Sequence, residues 1–140
     1  MIRVKADHAN KKVFFGIDNA TDDHRYAIRN AAYEIGVISK RAARKRIADK
    51  NKNGKTYRIG SKVHRASAGD EAPALFTGNL HRSVDFDVRS WNQMELGYKI
   101  LYGKFLEDGT KFMARRPNLR NVADDMTQEF INSMVRYFRK

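Results

Sequence analysis

The sequence predicts a single α+β domain, in which a small antiparallel sheet packs with a long helix in the N-terminal half and a helix at the C-terminus. Three patterns predict this fold. Apolar residues recur at helical spacing between Ile28 and Ile47, and again between Leu119 and Phe138. Residues 84–89 alternate apolar and charged side chains, which is the period of a half-buried strand. The 140 residues suit one domain, and no linker, repeat or low-complexity tract interrupts them.

The N-terminal half begins with two short predicted strands and continues as the long helix. Residues 2–5 and 12–17 are rich in β-forming side chains and are separated by polar residues. Thr21 can supply an N-cap oxygen, and the two acids after it suit the positive end of a helix dipole. The apolar spacing carries the helix to about Asp49. Gly36 lies inside it and costs about 1 kcal/mol relative to alanine in a helix interior.

The elements after the long helix are shorter. A helix-ending turn at 51–54 is predicted to lead into a strand at 56–59, and a hairpin turn at Asn53-Gly54 is the alternative. Residues 60–75 are small, polar and interrupted by glycine and proline, so we expect an extended loop. The remaining predicted elements are a short helical segment after Thr77, strands at 84–89 and 94–98, a helical piece at 102–107, and a last helix with Pro117 at its first position.

The composition excludes several kinds of site. The chain has no cysteine, which excludes disulfides, thiolate nucleophiles, zinc ribbons and iron–sulfur clusters. No stretch approaches the ~20 apolar residues of a membrane span, and the first residues lack the apolar run of a signal peptide. We therefore expect a protein that is made and used in the cytoplasm, with no membrane partner.

The formal net charge of +12 is concentrated in one part of the chain. Residues 40–65, the basic segment, hold eleven lysines and arginines against Asp49 alone, a net of +10. The eleven are Lys40, Arg41, Arg44, Lys45, Arg46, Lys50, Lys52, Lys55, Arg58, Lys62 and Arg65. Such a run can be a solvated face without a partner. It can also attract DNA phosphates without reading the base sequence, or meet an acidic protein surface and set its registry.

The residue types of catalysis are present, but not in catalytic patterns. The four histidines fall at unrelated spacings, without the pattern of a metal site. Where two acidic residues occur as a pair, they are adjacent in sequence, so their side chains point in different directions. The glycines form no phosphate-binding loop. We therefore expect no enzyme activity, no metal or other cofactor, and no small-molecule substrate. A basic nuclease that uses His64 and Asp70, beside the basic segment, is an alternative.

Several short motifs follow one another from residue 54 onward. They read GKTYR at 54–58, HRASAGDEAPA at 64–74, TGNLHRSV at 77–84, YGKFLEDGT at 102–110 and RRP at 115–117. Together, over about residues 25–138, they resemble a minor tail-component family of long-tailed double-stranded-DNA bacteriophages. Members of that family are described as neck, tail-completion or head–tail joining proteins. The residues that carry the resemblance are Ala72, Pro73, Thr77, Gly78, Leu80, Ser83, Tyr102, Glu107, Gly109, Thr110, Arg116 and Pro117.

The resemblance implies a virion subunit, made in the host cytoplasm, that forms a sixfold or twelvefold ring at the head–tail junction without catalysis. Its partners would be further copies of itself, the connector or stopper, and the tail-tube or terminator protein. In that setting Gly78 and Gly109 would permit tight turns, residues 62–75 would order against neighbouring rings, and Pro117 would start the closing helix. The basic segment would face either the DNA channel or a neighbouring protein.

A second class of function is consistent with the same charge. A DNA-binding or packaging accessory protein, acting as a monomer or dimer, would also use a cluster of lysines and arginines on phosphates. The long helix carries no recognisable base-reading motif, so we expect any DNA contact to be independent of sequence.

Overall fold

The longest element is helix α1 (Asp22–Ala48), and the computed structural model that contains it describes residues 2–6, 11–15 and 21–139. At its start, the Thr21 hydroxyl accepts a hydrogen bond from the backbone N–H of His24 at 3.3 Å, which satisfies one of the free donors of the first turn. At its end, the N–H of Asp49 donates to the Lys45 carbonyl at 3.0 Å. The predicted bounds of this helix are confirmed.

The described residues form six strands and four helices. The strands are β1 (Ile2–Ala6), β2 (Lys11–Phe15), β3 (Thr56–Ile59), β4 (Lys62–Arg65), β5 (Val84–Ser90) and β6 (Gln93–Tyr98). The three further helices are α2 (Asn79–Ser83), α3 (Tyr102–Asp108) and α4 (Leu119–Phe138). The two N-terminal strands occur where they were predicted; residues 16 and 17 of the second prediction lie outside the described residues.

The strands pair in two antiparallel sheets. The larger has the order β1-β2-β6-β5, and the smaller is the β3–β4 hairpin. In the larger sheet, Phe86 pairs with Leu96 and Val88 with Met94, so that apolar residues share one face. That face packs against α1, as the alternation of β5 predicts. The small α+β fold expected from the sequence is therefore confirmed.

The core lies where α1, α4 and the sheet meet. Helix α4 runs antiparallel to α1, because its start packs near Ala43 and Ile47 while its later turns pack near Ile28 and Ala31. Two clusters fill the space: Ile28, Ala31, Ala32, Ile35, Met94 and Phe130 in one, and Ala43, Ile47, Leu80, Val84, Leu96, Leu119 and Val122 in the other. The apolar row predicted for the last helix contributes to both.

Two predictions about the connecting segments are wrong in detail. The loop expected over 60–75 starts later, because Lys62–Arg65 forms β4 and pairs with β3 across a two-residue turn. Its sequence, KVHR, lacks the apolar alternation that marks a strand. Pro117 is not the first residue of the last helix. It lies buried two residues earlier, and the helix begins at Leu119.

Candidate interaction surfaces

The basic segment separates into two groups in the structure. Four members are at least partly buried and are hydrogen-bonded within the fold: Lys40, Arg44, Arg46 and Lys52. The other seven are exposed, namely Arg41, Lys45, Lys50, Lys55, Arg58, Lys62 and Arg65. The first group holds elements of the fold together, so the second group is the one that a partner can reach.

Lys40 fastens helix α1 to the sheet. Its ammonium group lies 2.7 Å from Oδ1 of Asp85 on β5, and Lys99 contacts the other oxygen of the same carboxylate. These two contacts, Lys40 first, hold the pKa of Asp85 well below its ordinary value. Lys40 therefore acts within the domain and is not part of a docking surface.

Arg44 and Lys52 satisfy backbone carbonyls. The Arg44 guanidinium donates to the carbonyls of Arg82 and Val84, at 3.2 and 3.1 Å, where α2 passes into β5. Lys52 is 6% exposed, and its ammonium donates to the Arg46 carbonyl in the last turn of α1 at 2.9 Å. Burial lowers the pKa of Lys52. Arg44 and Lys52 therefore stabilise the connections between consecutive elements of the fold. A count of charges in the sequence cannot distinguish such residues from those of a binding surface.

Glu107, which belongs to one motif of the resemblance, binds the two residues that directly follow the RRP motif through one buried carboxylate. Although Glu107 is only 6% exposed, its Oε1 accepts hydrogen bonds from the backbone N–H groups of Asn118 at 2.9 Å and Leu119 at 2.7 Å. These are free donors at the start of α4, where a negative charge is also favoured by the helix dipole. The Asn118 side chain makes no cap hydrogen bond of its own. Glu107 thus caps α4 from outside the helix.

A buried side-chain network extends from this cap to α1. The Tyr98 hydroxyl donates to Glu107 at 3.2 Å, and the Asn118 amide donates to that hydroxyl and to the Ala43 carbonyl. Arg46 donates to Oδ1 of Asn118 at 3.2 Å. Burial, followed by the Glu107 charge, raises the pKa of Tyr98. The network fixes α4 against α1 and β6.

The segment at 66–78 is irregular but fastened at several points. Glu71 accepts hydrogen bonds from the backbone N–H groups of Ala68 at 2.8 Å and Asn53 at 3.1 Å, and from the Asn53 amide. These bonds, Ala68 first, lower the pKa of Glu71. Next to Ala68, the Ser67 carbonyl accepts a hydrogen bond from Arg116 at 3.3 Å. The RRP motif therefore holds this segment in place.

The motif residues lie in turns, in buried contacts or at exposed positions. Gly78 and Gly109 have φ values of 82° and 75°, as the predicted tight turns require. The buried members are Ala72, Pro73, Leu80, Ser83, Glu107 and Pro117, and the Ser83 hydroxyl donates to the Leu80 carbonyl. Thr77, Tyr102 and Thr110 are exposed, and Arg116 is partly buried.

Four of the five motifs, which are separate in sequence, contribute residues to one groove in the structure; the motif at 54–58 is not among its lining residues. It has a volume of about 360 Å³ and lies between the 66–78 segment, α2 and α3. Its apolar walls include Leu75, Phe76, Tyr102 and Leu106. On β4, the His64 ring packs against Phe76 with 4.8 Å between centroids. The groove is thus bordered by the motif residues and by the basic hairpin.

Large apolar side chains stay exposed around this groove. Phe76 is 61% exposed, and on α3 Tyr102 and Phe105 are 45% and 46% exposed. Because Tyr102 and Phe105 are three residues apart on a helix, they are surface neighbours. Leu75 at 44% and Leu101 at 78% extend the same region. We call these five residues the apolar rim. Leu75, Phe76 and Tyr102 line the groove, and Phe105 and Leu101 lie next to Tyr102, on α3 and at its start. Clustered exposed apolar side chains mark interaction sites on proteins.

The two residues of the nuclease alternative have other contacts. His64 packs on Phe76, and Asp70 accepts a hydrogen bond from Arg115 at 2.6 Å. Among the residues that the structure describes, no three His, Asp or Glu side chains are grouped so that they could hold a metal ion. In the same residues, no helix is long and apolar enough to cross a membrane.

No protein-family model, curated protein or solved structure matches the chain. Function is therefore inferred from the residues and their contacts.

Some residues of this region could not be found from sequence. Asn118 and Tyr98 gain their roles from partners that lie 75 and 9 residues away, and no local pattern marks either one. Because Phe76 and Phe105 are large apolar residues, the sequence favours core positions for them, and only the structure shows that they are exposed. Glu107 lies 11 and 12 residues before its two backbone partners, and this spacing matches no helix-capping motif.

Proposed function

We propose that the protein is a non-enzymatic structural subunit of a tailed bacteriophage, which assembles as a sixfold or twelvefold ring at the head–tail junction. In this role it surrounds the channel through which the genome passes. Its neighbours are the connector or stopper on one side and the tail-tube or terminator protein on the other. It is made in the host cytoplasm and becomes part of the virion.

The observation that carries the proposal is the apolar rim around the groove. Four of the five motifs that resemble the phage family converge on this groove, and the same place exposes several aromatic and aliphatic side chains to water. Burying one such side chain contributes about 1.5–3 kcal/mol. A subunit that buries the rim against a different surface of the next copy forms a head-to-tail contact, and such contacts form a ring when the rotation from copy to copy closes.

The internal fastening of the motif residues also supports a structural role. Glu107 and Arg116 tie the groove walls to α4 and to the 66–78 segment. A ring subunit needs such rigid walls, because a contact surface that is already ordered loses less conformational entropy on assembly.

Replacing two rim residues tests the proposal directly. The Phe76→Ser, Phe105→Ser double variant replaces two side chains that are 61% and 46% exposed and lie outside both core clusters. The monomer should therefore stay folded, as circular dichroism can check, while ring assembly is lost. Tyr26→Ser is the matched control, because Tyr26 is 71% exposed on α1 and lies outside the groove. Light scattering and negative-stain electron microscopy measure assembly, alone and with connector and tail-tube proteins.

The expected result is rings for the wild type and the Tyr26 variant, and monomers for the double variant. A wild-type chain that remains monomeric alone and forms no complex with either neighbour contradicts the proposal. Equal assembly by all three proteins contradicts the assignment of the rim as the contact surface.

A further inference from the structure

The β3–β4 hairpin stands out as a ribbon that packs little of its own surface. Seven of its eight strand residues are exposed, including Tyr57, Ile59 and Val63 at 50%, 52% and 69%. Its base is held by backbone hydrogen bonds, in which Gly54 donates to Ala66 at 3.0 Å and Ala66 donates to Lys55 at 2.9 Å. The two arms of the hairpin therefore stay paired down to its base, while most side chains of its strands remain open to solvent.

The register of the hairpin separates its two faces. Tyr57 pairs with His64, and Arg58 pairs with Val63. Directly paired residues share a face, and successive residues alternate between faces. His64 packs on Phe76, so its face turns toward the groove. The opposite face, which carries Arg58 and Arg65, turns away from the domain.

The charge of the hairpin is of one sign. Residues 55–65 contain Lys55, Arg58, Lys62 and Arg65, and no acid occurs between Asp49 and Asp70. All four cations are exposed, and none forms an ion pair with another described residue. This differs from the helical part of the basic segment, in which Lys40, Arg44 and Arg46 are hydrogen-bonded within the fold.

The density of charge matches that of a nucleic acid strand. A four-residue strand spans ~14 Å at ~3.4 Å per residue, so the four cations, two on each face of the ribbon, average one positive charge per ~3.4 Å of hairpin. One strand of DNA carries one negative charge per ~3.4 Å of helix axis. A two-stranded ribbon also has a width that the major groove admits. An ordinary protein surface, in which both signs of charge are interspersed, offers a poorer match.

We infer that the β3–β4 hairpin binds the phosphate backbone of double-stranded DNA, independently of base sequence, through Lys55, Arg58, Lys62 and Arg65. This goes beyond the proposed ring, because an isolated subunit has the same hairpin and would bind DNA without assembling. In a ring, several such hairpins would present cations to the same duplex. By the register, Arg58 and Arg65 lie on the outer face, which meets the phosphates. Lys62, paired with Ile59, and Lys55 belong to the groove face, at the turn end and the base of the ribbon, and their exposed side chains meet phosphates at the two ends of the contact.

Charge removal on the hairpin tests this inference. The Arg58→Gln, Lys62→Gln, Arg65→Gln variant loses three cations from exposed positions. The matched control, Arg29→Gln, Lys104→Gln, Lys111→Gln, loses the same net charge from exposed positions outside the basic segment. Binding of each protein to a fluorescent DNA duplex of arbitrary sequence is measured by anisotropy between 50 and 300 mM salt, and circular dichroism checks the fold.

The expected changes follow from counterion release. Each phosphate contact contributes about 0.9 to the slope of log K against log salt, so the hairpin variant should have a slope shallower by about 2.7. Its affinity at 0.1 M salt should fall by about 100-fold or more, while the control changes little. A charge-keeping variant, Arg58→Lys with Arg65→Lys, should bind like the wild type, because attraction to phosphates needs charge and not the guanidinium fork.

Three results would overturn the inference. One is a wild type that does not bind the duplex, and another is an equal loss in the hairpin variant and its control. The third is binding of poly-L-glutamate as tight as binding of DNA, which would assign the hairpin to an acidic protein partner. Ring assembly of the hairpin variant is measured in parallel, so that loss of DNA binding and loss of the ring are seen separately.

Discussion

Replacing Glu107 by alanine should lower the free energy of unfolding more than replacing any exposed residue does. Its Oε1 accepts two backbone hydrogen bonds at 2.7 and 2.9 Å and one from Tyr98 at 3.2 Å. Hydrogen bonds to charged groups contribute about 1.5–3 kcal/mol each, and a buried donor left without a partner costs about 1–3 kcal/mol. Because the three bonds share one oxygen, they do not add fully. We expect Glu107→Ala to lower the free energy of unfolding by about 3–5 kcal/mol.

Urea unfolding followed by circular dichroism at pH 7 measures this loss. Glu107→Gln keeps an acceptor oxygen and removes the charge, so its loss should lie between those of the wild type and the alanine variant. Asp124→Ala is the control, because Asp124 is an exposed acid on the same helix α4; it should change stability by less than about 0.5 kcal/mol. A Glu107→Ala loss below about 1 kcal/mol, or one equal to that of the control, refutes the capping role.

Two further substitutions probe the packing of α1 against the sheet. Gly36→Ala should destabilise the protein although alanine favours helix by about 1 kcal/mol, because the added Cβ would lie 2.2 Å from the Phe86 ring and such overpacking costs about 1–3 kcal/mol. Thermal unfolding should show a lower midpoint, and a Phe86→Leu background should reduce the loss; a raised midpoint contradicts the contact. Asp85→Asn should flatten the acid side of the stability profile. The pKa of Asp85 is lowered in the fold by Lys40 and Lys99, so its carboxylate stabilises the fold above its unfolded pKa of about 3.9, and this contribution is lost as pH falls toward the depressed value. Urea unfolding at pH 7, 4 and 3 checks this, and parallel wild-type and variant profiles speak against it.

Local patterns predicted the main elements because those elements depend on local chemistry. Thr21 and the acids after it mark the start of α1, and the apolar spacing from Ile28 onward defines its buried face. The alternation of β5 likewise follows from one face packing on α1. Positive φ at Gly78 was foreseeable because a glycine in a turn motif usually serves this purpose.

Other features depend on contacts between distant residues and were not predictable. Lys40 and Arg46 look identical to the exposed cations in a charge count, yet their partners lie 45 and 72 residues away. The basic segment was therefore predicted as one surface, although the fold uses four of its eleven charges internally. Gly36 was read as a weak point of the helix, whereas the structure shows close contact with Phe86.

The β3–β4 hairpin shows the same division between local and distant causes. Strand β3 was predicted from its β-forming residues, but β4 was assigned to a loop because KVHR has no apolar period. Pairing with β3 supplies the hydrogen bonds that make β4 a strand. The change matters for function, because the ribbon holds Arg58 and Arg65 on one face and Lys62 at its turn end, positions that a loop would not fix.

The mass of the particle that the purified chain forms, alone and with connector and tail-tube proteins, tests the central claim most directly. Six or twelve copies of the 16.2 kDa chain have masses of about 97 or 194 kDa, and a closed ring of either size should appear in light scattering and in electron micrographs. A particle of 16.2 kDa under every condition, with no ring on either neighbour, would contradict the proposal that this protein is a head–tail ring subunit.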